Sequence, residues 1–341
     1  MIPSNGLRTL LIGAALAGLA GGTAMAQELN LYSGRHYDTD EHLYAGFTDE
    51  TGIKINLIEG DAEQLVTRIR SEGANSPADV LITVDAGRLW RAEEAGVFQP
   101  VQSAVLDERV PANLRQPEGL WFGFATRRRV ILYNPALLPE PPKTYEALAD
   151  PKYKGKLCIR SGTNVYNLSL LSAMIEHHGA DKAEAWAKGI VDNMARAPRG
   201  GDTDQIKAAA AGECAIAVAN HYYYVRLLES DDPADREVAS KVELIWPNQE
   251  SYGVHQNISG AGVVATAPHK EAAVKFLEYL SSDKAQEYFT KGNDEYPVVP
   301  GVLDNPILEK LGEPKLDTIN VSAYGEYQPA AAMIMDRAGW K

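Results

Sequence analysis

The sequence predicts an α/β protein folded as two lobes, on three observations. Short apolar strand signals alternate with amphipathic helical ones along the chain. The alternation breaks near residue 130 and then starts afresh. The 341 residues also exceed what one hydrophobic core usually organises. In order, residues 28–33 alternate polar and apolar as a half-buried strand does, and a Gly34-Arg35-His36-Tyr37 loop leads to a helix over 41–47. Residues 54–58 form a second strand with a helix over 62–71, and 78–83 a third with a helix over 87–95. Residues 129–134 read as a strand carrying the chain into the second lobe. There 156–160 is a strand and 167–177 a helix, with Leu168, Leu171, Met174 and Ile175 on one face. A helix over 183–194 and a buried strand over 215–219 follow. After a strand at 241–246, residues 255–260 cross back, and 271–280 form a strongly amphipathic helix. Two crossings make a hinge, and the crevice between lobes is where a ligand is enclosed. The expected boundaries are 27–126 with 255–302 for lobe 1, and 127–254 with 303–341 for lobe 2.

The N-terminus reads as a cleavable signal peptide over residues 1–26. Arg8 is its one basic residue, residues 9–20 are apolar, and Ala24-Met25-Ala26 fits a small-x-small cleavage site. The apolar run is too short to span a bilayer. No cysteine lies near the cleavage point to carry lipid, and one arginine argues against a twin-arginine signal. These features place the mature chain, from about Gln27, in a Gram-negative periplasm without membrane insertion. A formal net charge of −13 argues against nucleic acid or anionic lipid as partners and tolerates cations. The two cysteines, Cys158 and Cys214, are expected to form a disulfide in that oxidising compartment.

The run His221-Tyr222-Tyr223-Tyr224 follows the buried strand signal of residues 215–219. Ligands of open α/β sheets bind just beyond the carboxyl ends of such strands. Tyr166 follows the strand at 156–160 in the same way, and His36-Tyr37 follows the first strand. Neutral phenols, with pKa values near ~10, make a poor anion cage. A highly charged cation inverts that logic and holds them as phenolates, the oxygen donors that best suit ferric iron. The competing reading is that adjacent aromatics form a stacking platform for a sugar or fill a domain interface. Other motifs read more plainly. In Gly260-Ala261-Gly262-Val263-Val264-Ala265 the glycines precede an apolar strand, unlike a dinucleotide-binding turn. Asp38-Thr39-Asp40-Glu41 lacks the glycine and distant glutamate of a calcium loop, and Asp38 or Thr39 is expected to cap a helix. His177-His178 ends a helix, where histidines meet the carbonyl end of the dipole. Arg127-Arg128-Arg129 reads as a solvated or hinge-flanking charge run. No nucleophile–base arrangement suggests an enzyme.

Several segments together resemble the periplasmic ferric-ion-binding proteins, the bacterial counterparts of transferrin, in particular their Fut-type branch. They are Leu31-Tyr32-Ser33-Gly34-Arg35-His36-Tyr37, Ser76-Pro77-Ala78-Asp79-Val80-Leu81-Ile82-Thr83-Val84-Asp85, Arg88-Leu89-Trp90-Arg91-Ala92-Glu93, Trp121-Phe122-Gly123-Phe124, Tyr166-Asn167-Leu168-Ser169, Ala219-Asn220-His221-Tyr222-Tyr223 and Ala338-Gly339-Trp340. The resemblance implies the two-lobed type II solute-binding fold, with Fe(III) as the transported ligand. It also implies a monomer that delivers to an inner-membrane ABC permease and its ATPase. Carried onto this chain, the metal ligands are Tyr37, Tyr166, Tyr222 and Tyr223, with His36 either a further ligand or a neighbour orienting Tyr37. His221 and Tyr224 are expected outside the ligand set. Arg35, Arg160 and Arg226 would balance phenolate charge, hold an anion or form structural ion pairs, and a synergistic anion is left open. The alternative is a protein of the same fold for an organic cationic solute such as a polyamine, using the tyrosines for stacking.

Overall fold

The computed structural model describes Met1, residues 27–35 and residues 37–341. Residues 2–26 of the expected signal peptide, and His36, lie outside them. Among the described residues nine strands form a connected sheet system. They are β1 (Glu28–Ser33), β2 (Lys54–Glu59), β3 (Val80–Val84), β4 (Phe122–Tyr133), β5 (Leu157–Cys158), β6 (Ile216–Asn220), β7 (Glu243–Ile245), β8 (Gln256–Val263) and β9 (Tyr296–Pro297). The main order is β2-β1-β3-β8-β4-β6-β5, with β7 and β9 also pairing with β4. β1 runs parallel to β2 and β3, and β8 lies antiparallel to β3.

β4 belongs to both lobes. From Phe122 to Arg128 it pairs with β8, and from Arg129 to Tyr133 it pairs with β6. Such a strand is covered on both faces, so its sequence reads as a nearly continuous buried run. The expected strand over 129–134 is only its C-terminal half. In the second lobe the side chains alternate between two cores. Ile131, Ile216 and Val218 pack with Leu171, Trp186 and Trp340 on one face. Val130, Leu132, Ala217 and Ala219 pack with Ile206 and Leu227 on the other. The first lobe is built likewise, with Leu29, Leu31, Val80 and Ile258 packing against Phe47, Phe276 and Leu277. This is the two-lobed α/β architecture that the sequence predicts. No helix among the described residues is long and apolar enough to cross a membrane.

Several local expectations need correction. Gly260 and Gly262 lie inside β8 rather than before it. A Cβ at Gly260 would come within 2.6 Å of the Phe122 carbonyl oxygen, so the glycine serves close strand packing. The first long helix starts at Asp40, yet no side chain caps it. Thr39 instead donates to Asn293 Oδ1 at 2.6 Å, and Asp40 accepts from Arg35 Nε at 2.7 Å. His177 and His178 do end the helix Val165–His178, but each meets a carboxylate, Asp317 at 2.6 Å and Glu146 at 2.8 Å. Helices Asp202–Ala210, His221–Glu229, Asp283–Asn293 and Gln328–Ala338 were not anticipated.

Cys158 and Cys214 form a disulfide, with Cα atoms 5.9 Å apart across 56 residues of sequence. It joins β5 to the segment entering β6, inside the second lobe. Loop entropy gives the link roughly 4 kcal/mol of stabilisation. Replacing both cysteines by alanine should lower urea-unfolding stability by about that amount. Because neither cysteine is among the expected metal ligands, ligand affinity measured well below the new midpoint should stay unchanged.

Candidate metal centre

The four tyrosines singled out in the sequence meet at one place. Helix His221–Glu229 begins directly after β6, so Tyr222 and Tyr223 occupy its first turn at the strand's carboxyl end. Tyr166 occupies the first turn of helix Val165–His178, whose N-cap Asn164 accepts from the Tyr166 N–H at 3.0 Å. Tyr37 comes from the loop after β1 in the other lobe. Tyr222 Oη donates to Tyr166 Oη at 3.4 Å, and the rings of Tyr222 and Tyr223 lie 4.3 Å apart. Arg226 is four residues beyond Tyr222 and three beyond Tyr223, which makes it a helix-surface neighbour of each. Its guanidinium lies 4.9 Å from the Tyr222 ring, 5.9 Å from that of Tyr223 and 5.2 Å from that of Tyr37. One arginine therefore touches tyrosines from both lobes.

Burial dominates the titration of Tyr37, Tyr222 and Tyr223. Loss of solvent, then the Glu295 carboxylate, pushes Tyr37 up to about 12 against the pull of Arg35. Tyr222 is raised well above the ordinary phenol value by burial and next by Tyr166, Tyr37 and Tyr223. Tyr223 is raised by burial, then by Tyr166 and Asp202. Each anion would thus oppose the others, and these three phenols are neutral at pH 7 until a cation arrives.

Arginines supply the counterweight. Arg127 and Arg160 each lie 5.3 Å from the Tyr166 ring and Arg129 lies 5.9 Å away, while Arg35 lies 4.8 Å from that of Tyr37. The Arg127-Arg128-Arg129 run does flank the hinge, but it is not solvated, because all three side chains are buried. It lies on β4, whose alternation turns Arg127 and Arg129 toward the site and Arg128 the other way, onto the Tyr296 ring at 3.2 Å. That alternation on a crossing strand was the signal that could have found them. Carboxylates fix the guanidiniums in turn. Asp202 holds Arg129 at 2.5 Å and Arg160 at 3.6 Å, while Asp40 and Glu295 hold Arg35 at 2.7 and 3.3 Å. Arg226 faces Asp294 at 3.6 Å and stays partly exposed.

Two neighbours stand outside this arrangement. His221 Nδ1 accepts from the Arg128 N–H at 3.0 Å, so Nε2 carries the proton and donates to the Asp294 carbonyl at 2.9 Å. Both ring nitrogens are used, and burial lowers its pKa to about 3. The Tyr224 hydroxyl donates to the Val242 carbonyl at 3.3 Å, within the second lobe. Among the described residues, no group of three His, Cys, Asp or Glu side chains could hold a metal. Any cation at the site would be held by phenol oxygens, the hard donors that suit a hard, highly charged ion.

Residues 75–315 match the model of the family of bacterial extracellular solute-binding proteins. The chain belongs to that family. Within it, the chain is 55% identical over 316 residues to iron uptake protein A1 of Synechocystis, covering 92% of this chain and 88% of that one. It superposes with a TM-score of 0.89 on a Trichodesmium FutA solved with iron and citrate ligands, at 57% identity, over 92% of this chain and all of the other. The Campylobacter jejuni ferric binding protein aligns at 38% identity and a TM-score of 0.85, again over 92% of this chain and all of the other.

The buried neutral histidine predicts a pH effect on stability. A base whose folded pKa is depressed favours the native state above its unfolded value of about 6.5, and that stability is lost as pH falls toward about 3. For His221 the loss between pH 7 and pH 5 is about 2 kcal/mol. Asp294 works oppositely, because burial raises it to about 7 and its uptake of a proton in the native state favours folding in acid. Urea unfolding of His221→Gln should therefore show lower stability at pH 7, yet lose about 2 kcal/mol less than the parent on going to pH 5.

Proposed function

We propose that this chain captures ferric iron in the crevice between its lobes and delivers it to an inner-membrane ABC permease and its ATPase. On this reading it is exported to the periplasm, acts as a monomer and binds without catalysing a reaction. Tyr37, Tyr166, Tyr222 and Tyr223 are the phenolate ligands, with His36 beside Tyr37 in sequence. The observation that carries the reading is the convergence of these four phenols from both lobes, circled by guanidiniums that offset phenolate charge. The iron named in the descriptions of the Synechocystis and Trichodesmium relatives supports it. A trivalent ion overrides the mutual opposition of the phenols, so loading releases protons and weakens as pH falls. Because one ligand lies on lobe 1 and three on lobe 2, binding favours the closed form.

The polyamine alternative fits less well. An organic cation would stack on the ring faces, and arginines already lie against them. Arg127 and Arg160 take Tyr166, Arg226 takes Tyr222 and Tyr223, and Arg35 takes Tyr37.

Loaded with ferric citrate, the protein should show a visible phenolate-to-iron charge-transfer band. Stoichiometric iron without that band would reject phenolate ligation. Tyr223→Phe keeps the ring and removes one donor oxygen. In competition against citrate it should lose more than about tenfold in affinity, over ~1.4 kcal/mol. Tyr166→Phe and Tyr222→Phe should match it, whereas Tyr224→Phe should bind as the parent does. Tyr37→Phe should be milder and should shift small-angle scattering of the loaded protein toward the open form.

A further inference from the structure

Asp85 is the least ordinary residue near the site that the function leaves unexplained. It is fully buried and non-glycine, yet its φ is +84°, a backbone region that costs strain in an L-residue. It stands before helix Ala86–Glu94 and accepts from the Gly87 N–H at 3.0 Å, as an N-cap does. An N-cap needs neither complete burial nor a positive φ. The rest of its bonding shows what the strain holds in place. Asp85 Oδ1 also accepts from Ser169 Oγ of the second lobe at 2.6 Å. Oδ2 accepts from Asn257 Nδ2 on β8 at 3.0 Å and faces Arg127 Nη2 on β4 at 3.4 Å. The same Asn257 accepts from the Ala86 N–H at 2.9 Å, and the Asp85 N–H donates to the Ile258 carbonyl at 2.9 Å. One carboxylate thus joins the first lobe, both crossing strands and the second lobe.

Two of those partners lead to the same tyrosine. Ser169 lies three residues after Tyr166 on helix Val165–His178, about one turn away on the same side. The guanidinium of Arg127 lies over the Tyr166 ring. We propose that Asp85 is a positioning residue for the cleft site: through Ser169 and Arg127 it fixes the helix and the charge that present Tyr166 when the lobes close. It is not one of the proposed ligands and acts only through its partners. A hydrogen bond to a buried carboxylate is stronger than one between neutral groups, so this tie can hold a helix end in register.

The proposal rests on the ferric reading, and the test separates the two. Ser169→Ala removes one hydroxyl and keeps the ligand set. It should leave the charge-transfer maximum of the iron-loaded protein in place while iron passes to excess EDTA about tenfold faster. Ser172→Ala is the matched control on the same helix, since its hydroxyl is buried and has no hydrogen-bond partner. It should release iron at the parent rate. Asp85→Asn should also release faster, and adding it to Ser169→Ala should give less than the product of the two effects, because both break one contact. If Asp85→Asn fails to fold, the serine pair alone decides. In the iron-free protein, hydrogen exchange over residues 163–170 should quicken in Ser169→Ala and not in Ser172→Ala. Equal release and equal exchange from the two serine variants would overturn the positioning role. A parent protein that takes up no iron or shows no band would overturn the ferric reading, and the exchange comparison would still judge the tie.

Discussion

Buried phenolates repel one another, and much of the site is arranged around that constraint. Two unit charges 5 Å apart interact by about 3 kcal/mol at an effective dielectric of about 20. Tyr37, Tyr222 and Tyr223 each feel that opposition in addition to burial, which is why all three are raised. Guanidiniums at 5 to 6 Å from the rings return energies of the same order. The phenols are therefore held neutral and close together, ready for a cation to displace their protons.

The hinge supplies much of this charge. β4 crosses between lobes, so Arg127 and Arg129 come to the base of the cleft without any loop to position them. Strand alternation aims both inward and sends Arg128 onto Tyr296. His221 fastens the arrangement from behind, because its ring bridges the Arg128 amide and the Asp294 carbonyl. The strand that the two lobes share also carries the guanidiniums beside the Tyr166 ring, so the connection between lobes and the charge at the site lie in one element.

Much of this was legible in the sequence, and the failures have physical causes. Alternation located β1 and a short apolar run located β6, and the tyrosines were found because polar aromatics at strand ends are conspicuous. For Arg127-Arg128-Arg129 the hinge-flanking reading stands and the solvated one fails, since a three-residue charge run resembles a solvated surface unless the strand is known to be buried on both faces. Asp85 does not stand out in the sequence, because its bond to Ser169 joins residues 84 positions apart and its positive φ leaves no local signal. Thr39 was expected as a helix cap from local chemistry, but Asn293 outcompeted the backbone for its hydroxyl. Local propensity is a weak guide where long-range partners exist. Helix His221–Glu229 was missed because its aromatic first turn hides the apolar period behind site residues.

The charge balance around the tyrosines bears on what the site would hold. Each nearby arginine has a carboxylate partner: Arg35 with Asp40 and Glu295, Arg127 with Asp85, Arg129 and Arg160 with Asp202, and Arg226 with Asp294. The surrounding shell is therefore close to neutral, and the arginines act through their nearness to the rings more than through net charge. Four phenolates around a trivalent ion leave a single negative charge for this shell to absorb. The same four around a divalent ion leave two, and around a singly charged organic cation three. Each additional uncompensated charge in a buried volume carries a desolvation penalty of several kcal/mol. Retaining protons on some phenols would relieve that penalty only by giving up donors. On the proposed ligand set, the balance that keeps the surrounding shell near neutral is also what favours the most highly charged guest.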